Sequence, residues 1–194
     1  TWSSDSSRLY TQGHLCKLLS WQMDGSQSFA PAASASPEGG DSGWFAHANS
    51  IAASSRSGLV ALGTNVGTVQ FWNGKSLTFQ RQIKVEPEIP RYATYAIAIS
   101  PDEKLVAEYG DTSGHLYEIA TMERLCKFGN HQGRTWNLAF SPDGQKLAAL
   151  HDKGDLTLWS IPDGTQLAEW SLKHLRETSV VHWSHAGDRI AVVS

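Results

Sequence analysis

Cysteine is scarce in this chain: Cys16 and Cys126 are the only two in 194 residues, and they stand far apart in no metal-like spacing. They read as two buried or half-buried free thiols, which points to a reducing, cytoplasmic setting. Long apolar runs are missing too. Nothing approaches the roughly 18 consecutive apolar residues of a membrane helix, and the opening residues lack the charged head and apolar middle of a signal peptide. The first residue is Thr1, not methionine, so processing or truncation is expected to have removed what preceded it. No charge of one sign dominates: 16 Lys and Arg face 19 Asp and Glu, a formal charge of −3. Without a basic excess to attract a phosphate backbone, the expected partners are proteins or peptides, with no nucleic acid and no membrane.

Catalytic signatures are equally thin. G-x-S-x-G, H-E-x-x-H and C-x-x-C do not occur. The glycine-rich stretches "GTNVGT" (63–68) and "GNHQGR" (129–134) lack the lysine of a phosphate-binding loop, and no helix follows to present its amide dipole, so both read as turns. Eight histidines invite a metal hypothesis; His182 and His185 are three apart, but on a strand running into a turn they need not share a face. No catalytic residue, metal site or cofactor is expected from these patterns.

What the chain does have is a repeat. "AFSPDGQKLAALHDKGDLTLW", from Ala139 to Trp159, recurs around Ile99 ("AISPDEKLVAEYGDTSGHLYEI"), Trp2 ("WSSDSSRLYTQGHLCKLLSWQM"), Trp183 ("WSHAGDRIAVVS") and, more loosely, Ala53 ("ASSRSGLVALGTNVGTVQFW"). The anchors Trp2, Ala53, Ile99, Phe140 and Trp183 lie 51, 46, 41 and 43 residues apart, and the closing aromatics Trp21, Trp72, Tyr117 and Trp159 follow after 19, 19, 18 and 19. Periods of this length built from short strands are those of propeller blades. With 40% hydrophobic and 10% aromatic residues, the chain can bury a sizeable core.

Each unit reads as four strands. Tyr95, Ile97 and Ile99 alternate with Ala96 and Ala98, and Trp136, Leu138 and Phe140 with Asn137 and Ala139, as innermost strands with small alternates would. "SPDG" at 141–144 supplies the turn into a second strand, Leu147–Leu150, matched by Leu105–Ala107. Leu156–Trp159 and Leu116–Ile119 are third strands, and Gln166–Ser171 and Arg124–Phe128 more polar outer fourth strands. The expected fold class is therefore an all-β propeller of four-stranded antiparallel blades. One propeller segment covers 1–194: a partial blade at 1–25, a flexible Ser-, Ala-, Gly- and Pro-rich insertion at 26–43, blades at about 44–85, 86–128 and 129–171, and a partial blade at 172–194. The insertion reads either as a docking loop or as a tolerated surface excursion. About four periods invite three explanations: a piece of a larger six- to eight-bladed ring whose remaining chain closes it, two copies completing one ring, or a self-closed four-bladed ring. Trp2, Trp21, Trp72, Trp136, Trp159 and Trp183 fall on repeat positions and read as core, whereas Trp44 and Trp170 fall off the pattern.

These spacings resemble the WD40 repeats over essentially the whole chain. His131 and His174 each precede an anchor by nine residues, as that family's histidine does, with Asn130 and Lys173 in place of its glycine; Trp72 and Trp159 match its tryptophan, with Asn73 and Ser160 in place of its aspartate. The resemblance implies a buried tetrad of histidine, serine or threonine, aspartate and tryptophan. In the blade of His131 and Trp159, however, Ala149 and Lys153 hold the serine and aspartate places, with Asp152 one residue early, so this relay is broken and His131 must find other partners. The resemblance also implies a partner-binding face made of the loops before each inner strand and between second and third strands. Arg91, Tyr92, Arg134, His151, Lys153 and Arg176 match it, a mix of the basic and aromatic types common at binding hot spots. Three functions remain open: a non-catalytic protein-interaction scaffold, a regulatory propeller joined to a kinase or NTPase, or a propeller enzyme of hydrolase or quinoprotein type.

Overall fold

The repeated turn is specified within a few residues. Ser3, Ser54, Ser100, Ser141 and Ser184 each follow an anchor by one residue, and each donates its backbone N–H to the carbonyl five residues on, at 2.8–2.9 Å. In four copies the fourth residue returns its N–H to the serine carbonyl and takes a positive φ: 56° at Ser6, 62° at Glu103, 72° at Gly144 and 73° at Gly187. Gly144 and Gly187 adopt that backbone without strain, whereas a side chain there, as at Glu103, costs about 1 kcal/mol. The serine hydroxyl then accepts the N–H of Arg8, Leu105, Lys146 or Arg189, which launches the next strand. The copy at Ser54 departs from this pattern, its hydroxyl accepting from Arg56 and Ser57 instead.

In the proline-bearing copies the hydroxyls of Ser100 and Ser141 also donate to Asp102 and Asp143, at 2.6 and 2.5 Å. The Ser141 hydroxyl, followed by the Gln145 N–H, holds the Asp143 carboxyl below the usual aspartate range, and the Ser100 hydroxyl does the same for Asp102. A depressed carboxyl contributes stability above its unfolded-state pKa and loses that contribution as pH falls through its folded one. Asp143→Asn should therefore lower the urea midpoint at neutral pH, and the gap from the parent should close below about pH 4. A gap as wide in acid as at neutrality would refute the assignment.

The computed structural model describes residues 1–3, 6–12, 18–23, 29–35, 47–54, 56–85, 93–110, 112–129, 134–172 and 180–193. Among them there is no helix; the chain is all-β and folds as successive antiparallel meanders of the propeller-blade type. It forms two compact units, Thr1–Thr94 and Tyr95–Ser194. In the first unit, β1 (Arg8–Gln12), β2 (Leu18–Met23) and β3 (Phe29–Ala35) make a three-stranded sheet, and β4 (Ala48–Ala53), β5 (Leu59–Thr64), β6 (Thr68–Asn73) and β7 (Thr78–Lys84) a four-stranded one. In the second unit, β8 (Ala96–Ile99), β9 (Leu105–Tyr109), β10 (Gly114–Glu118) and β11 (Arg124–Phe128) form the third sheet, and β12 (Thr135–Phe140), β13 (Lys146–His151), β14 (Asp155–Ser160) and β15 (Gln166–Ser171) the fourth. A two-stranded fifth sheet pairs β16 (Val180–Trp183) with β17 (Ile190–Val193).

One expectation is corrected here. Residues 29–35, placed in a flexible insertion, form β3, paired along β2 as the outer strand of the first sheet. Outer strands need backbone pairing more than apolar side chains, as the largely exposed β7 and β15 show. Pro31 pairs with Trp21 on an outer strand, beside the register shift between Ser20 and Trp21, where a missing N–H costs little.

Within each unit, cores form between consecutive sheets. Tyr10 and Leu18 of the first sheet pack on Val60, Leu62 and Trp72 of the second. In the second unit, Ala98, Ala107, Tyr109, Leu116 and Phe128 pack on Leu138, Leu147, Ala149, Trp159 and Ile161. β10 begins with glycine for a steric reason: a Cβ on Gly114 would meet the Phe128 and Tyr109 rings at 2.5–2.6 Å. The leading strands lie side by side, β8 against β12 and β12 against β16, with Asn137 Oδ1 accepting the Val181 N–H and Trp183 Nε1 donating to the Ala139 carbonyl. Trp72 and Trp159 are core as expected, but Trp2 is 45% exposed. It forms an isolated bridge with Leu9 just before the turn, and the matching Ala53, Ile99, Phe140 and Trp183 are themselves only half-buried. Trp21 is half-buried and donates to Thr11 Oγ1, and Trp44 lies outside the described residues.

Candidate functional site

A β-bulge builds the most distinctive surface feature of the second unit. Thr135 pairs with His151 and Asn137 with Leu150, which leaves Trp136 as the extra residue at the start of β12. A bulge re-aims the side chain it carries. Trp136 accordingly leaves the core face held by Leu138 and sits half-buried at the rim beside Tyr95, with ring centroids 6.5 Å apart. Over this pair lies the exposed Arg134, its guanidinium carbon 5.0 Å from the centre of the Tyr95 ring and 6.0 Å from that of Trp136. The Arg134 carbonyl accepts the Asp152 N–H at 2.9 Å, which brings the turn carrying the exposed Lys153 to the same end of the sheet.

Of the six residues expected on a partner-binding face, the structure thus brings Arg134 and Lys153 together. His151 is not on the surface: it is 2% exposed, with Nδ1 2.7 Å from Thr135 Oγ1 and Nε2 2.8 Å from Thr157 Oγ1. Its position at the end of a strand explains the difference, because the ring turns inward between the Tyr109 and Trp159 rings, 5.4 and 6.1 Å away. Arg91, Tyr92 and Arg176 lie outside the described residues, as do His131 and His174.

The polar layer inside the blades differs from the tetrad implied by the resemblance. In the fourth sheet, Thr135, His151 and Thr157 tie three strands together beneath the rim. In the third, Glu108 and His115 stand directly opposite across β9 and β10, side chains 0% and 1% exposed, with Oε1 2.5 Å from Nδ1. In the second, the matching place on β6 is the buried Gln70. Neither Glu108, His115, Thr135 nor Thr157 was singled out by sequence reasoning, yet a signal was there: Gln70, His115 and Thr157 each stand two residues before a closing aromatic.

Chemistry elsewhere is muted. Among the described residues, no group of three His, Cys, Asp or Glu side chains gathers in a way that could hold a metal ion. Cys126 is half-buried on β11, donates to the Pro162 carbonyl, and has its thiol pKa pushed up by burial and then by Asp163, which keeps it protonated and unreactive; Cys16 lies outside the described residues. An open groove of about 440 Å³ lies between the fourth and fifth sheets, lined by Leu156, Leu158, Trp170, Trp183 and Ile190 with Lys146 and Asp188 at its rim.

No protein-family profile matches the chain. Over 97 residues it is 30% identical to the target of rapamycin complex subunit wat1 of Schizosaccharomyces pombe, covering 48% of this chain and 29% of that protein. Over 78 residues it is 35% identical to the NBAS subunit of the NRZ tethering complex of Homo sapiens, covering 37% of this chain and 3% of that one. A 101-residue stretch is 30% identical to the serine-threonine kinase receptor-associated protein of Rattus norvegicus, covering 50% and 29%. The chain spans less than a third of the length of each of these relatives, and it is similar to them over no more than half of its own.

Proposed function

We propose that this chain is a segment of a non-catalytic, WD40-like propeller that serves as a protein-interaction scaffold, with the rim of the fourth sheet as part of its docking face. The observation that carries this reading is the exposed Arg134 lying over Tyr95 and Trp136 beside Lys153, a basic and aromatic surface at the end of the sheet. Two relatives are by name subunits of a complex and a third is receptor-associated, which supports a role in assemblies over one in turnover. The formal charge of −3 supports protein over nucleic acid as the partner.

The test is quantitative affinity purification with the parent chain and with Arg134→Glu/Lys153→Glu. Both residues are exposed, so the double variant should fold normally while losing the larger part of its reproducible co-purifying proteins. An unchanged set of partners would move the docking surface elsewhere.

A further inference from the structure

Three charged groups, Arg134, Asp152 and Lys153, meet at one turn, and no ion pair forms between them among the described residues. Asp152 Oδ1 is sealed from water and without any hydrogen-bond partner, and so is Trp136 Nε1. Unpaired buried polar atoms cost stability, and a phenylalanine at position 136 would avoid one of them. The rim therefore departs from what stability alone would select, as binding sites commonly do. Meanwhile the Arg134 guanidinium rests on two rings, with no acceptor for its N–H groups among the described residues. The cation–π contacts restrain the side chain without consuming its donors, so part of the ordering cost of binding is met beforehand.

We infer that Arg134, seated over Tyr95 and Trp136 and flanked by Lys153, captures a carboxylate side chain of an acidic peptide segment. A planar fork offers two parallel N–H donors that match the two oxygens of a carboxylate. Two cations beside one carboxylate leave a single positive charge at the rim, which complements an Asp or Glu side chain better than a phosphate dianion. This inference rests on the scaffold reading and gives its partner a chemistry.

The probe is a fluorescein-labelled glutamate-rich peptide, followed by anisotropy with the whole chain, alongside its glutamine analogue and a phosphoserine analogue. The glutamate peptide should bind and the glutamine peptide should not. Arg134→Gln should weaken binding by about tenfold to a hundredfold, the range of a hydrogen-bonded charged contact. Arg134→Lys should fall between, because it keeps the charge but loses the fork. Circular dichroism on each variant checks that folding is intact. No binding of the glutamate peptide, equal binding of the glutamine peptide, equal affinity in Arg134→Gln, or preference for the phosphoserine peptide would each overturn the inference. Peptide binding that fails while charge reversal still strips partners sinks this inference alone. An Arg134-dependent peptide complex beside an unchanged set of co-purifying proteins moves the main docking surface off this rim and leaves the carboxylate site standing.

Discussion

Trp159→Ala should remove about 3–5 kcal/mol from the stability of the second unit, the usual cost of emptying a buried indole site. Trp159 is 2% exposed and closes the seam between the third and fourth sheets, its ring centre 5.3 Å from that of Phe128 and 6.2 Å from that of Tyr109. These neighbours are themselves locked in strands, so the walls cannot collapse far into the space left behind. Set against the 5–15 kcal/mol that holds a typical domain together, a loss of that size leaves the unit marginal. Trp170 supplies the control: the same residue type one strand further out is 44% exposed, and Trp170→Ala should shift stability by less than about 1 kcal/mol. Urea titration of both variants, followed by far-ultraviolet circular dichroism, measures the contrast. Equal midpoints for the two would mean that the aromatic closing each repeat is not what joins one blade to the next. The rim depends on this seam, because Thr135 and His151 stand behind Arg134 and Trp136 and the His151 ring packs edge-on against Trp159.

How much of this was legible in the chain depended on how local the determining chemistry is. The blade period was legible because four of the five turns carry their own instructions: a serine, a residue that takes positive φ, and the amide that returns to the serine hydroxyl lie within a few positions of one another. The strands after those turns followed, since alternation shows wherever one face is covered, and β15 and β11 fall at Gln166–Ser171 and Arg124–Phe128 as expected. β3 was hidden because its pairing is a backbone property and "FAPAASA" has no alternation to reveal it. Trp136 was misplaced for a different reason. Its spacing put it in register with Leu138 and Phe140, but the bulge at Thr135–Asn137 shifts register by one residue, and no feature of the six letters "TWNLAF" marks a bulge. His151 carried the right type for a binding face and the wrong direction, since its burial is decided by two threonines 16 and 6 residues away in sequence. The rim at Arg134 was therefore half visible: the residue and its loop, but not the two rings beneath it.

The deepest element that sequence reasoning passed over makes the second large prediction. Glu108 alternates with Ala107 and Tyr109 along β9, and His115 with Leu116 along β10, so the pair lies on the face of the third sheet opposite the one packed on the fourth. Both side chains are out of water, and Glu108 Oε1 and His115 Nδ1 are hydrogen-bonded to each other. Taking an ionisable pair out of solvent is costly, and mutual interaction offsets the cost only while both members are present. Glu108→Leu and His115→Leu should each cost about 3–5 kcal/mol, because each takes one half out of a buried ionisable pair. The double variant should cost far less than the two losses added together, since a pair of leucines directly opposite on neighbouring strands satisfies one another by packing. A double-mutant cycle on urea-derived stabilities reads the coupling directly. Additivity within about 0.5 kcal/mol would show that the two side chains act independently and that their contact does not hold β9 to β10. Strong coupling would instead show that the Glu108–His115 contact ties β9 to β10 inside the third sheet.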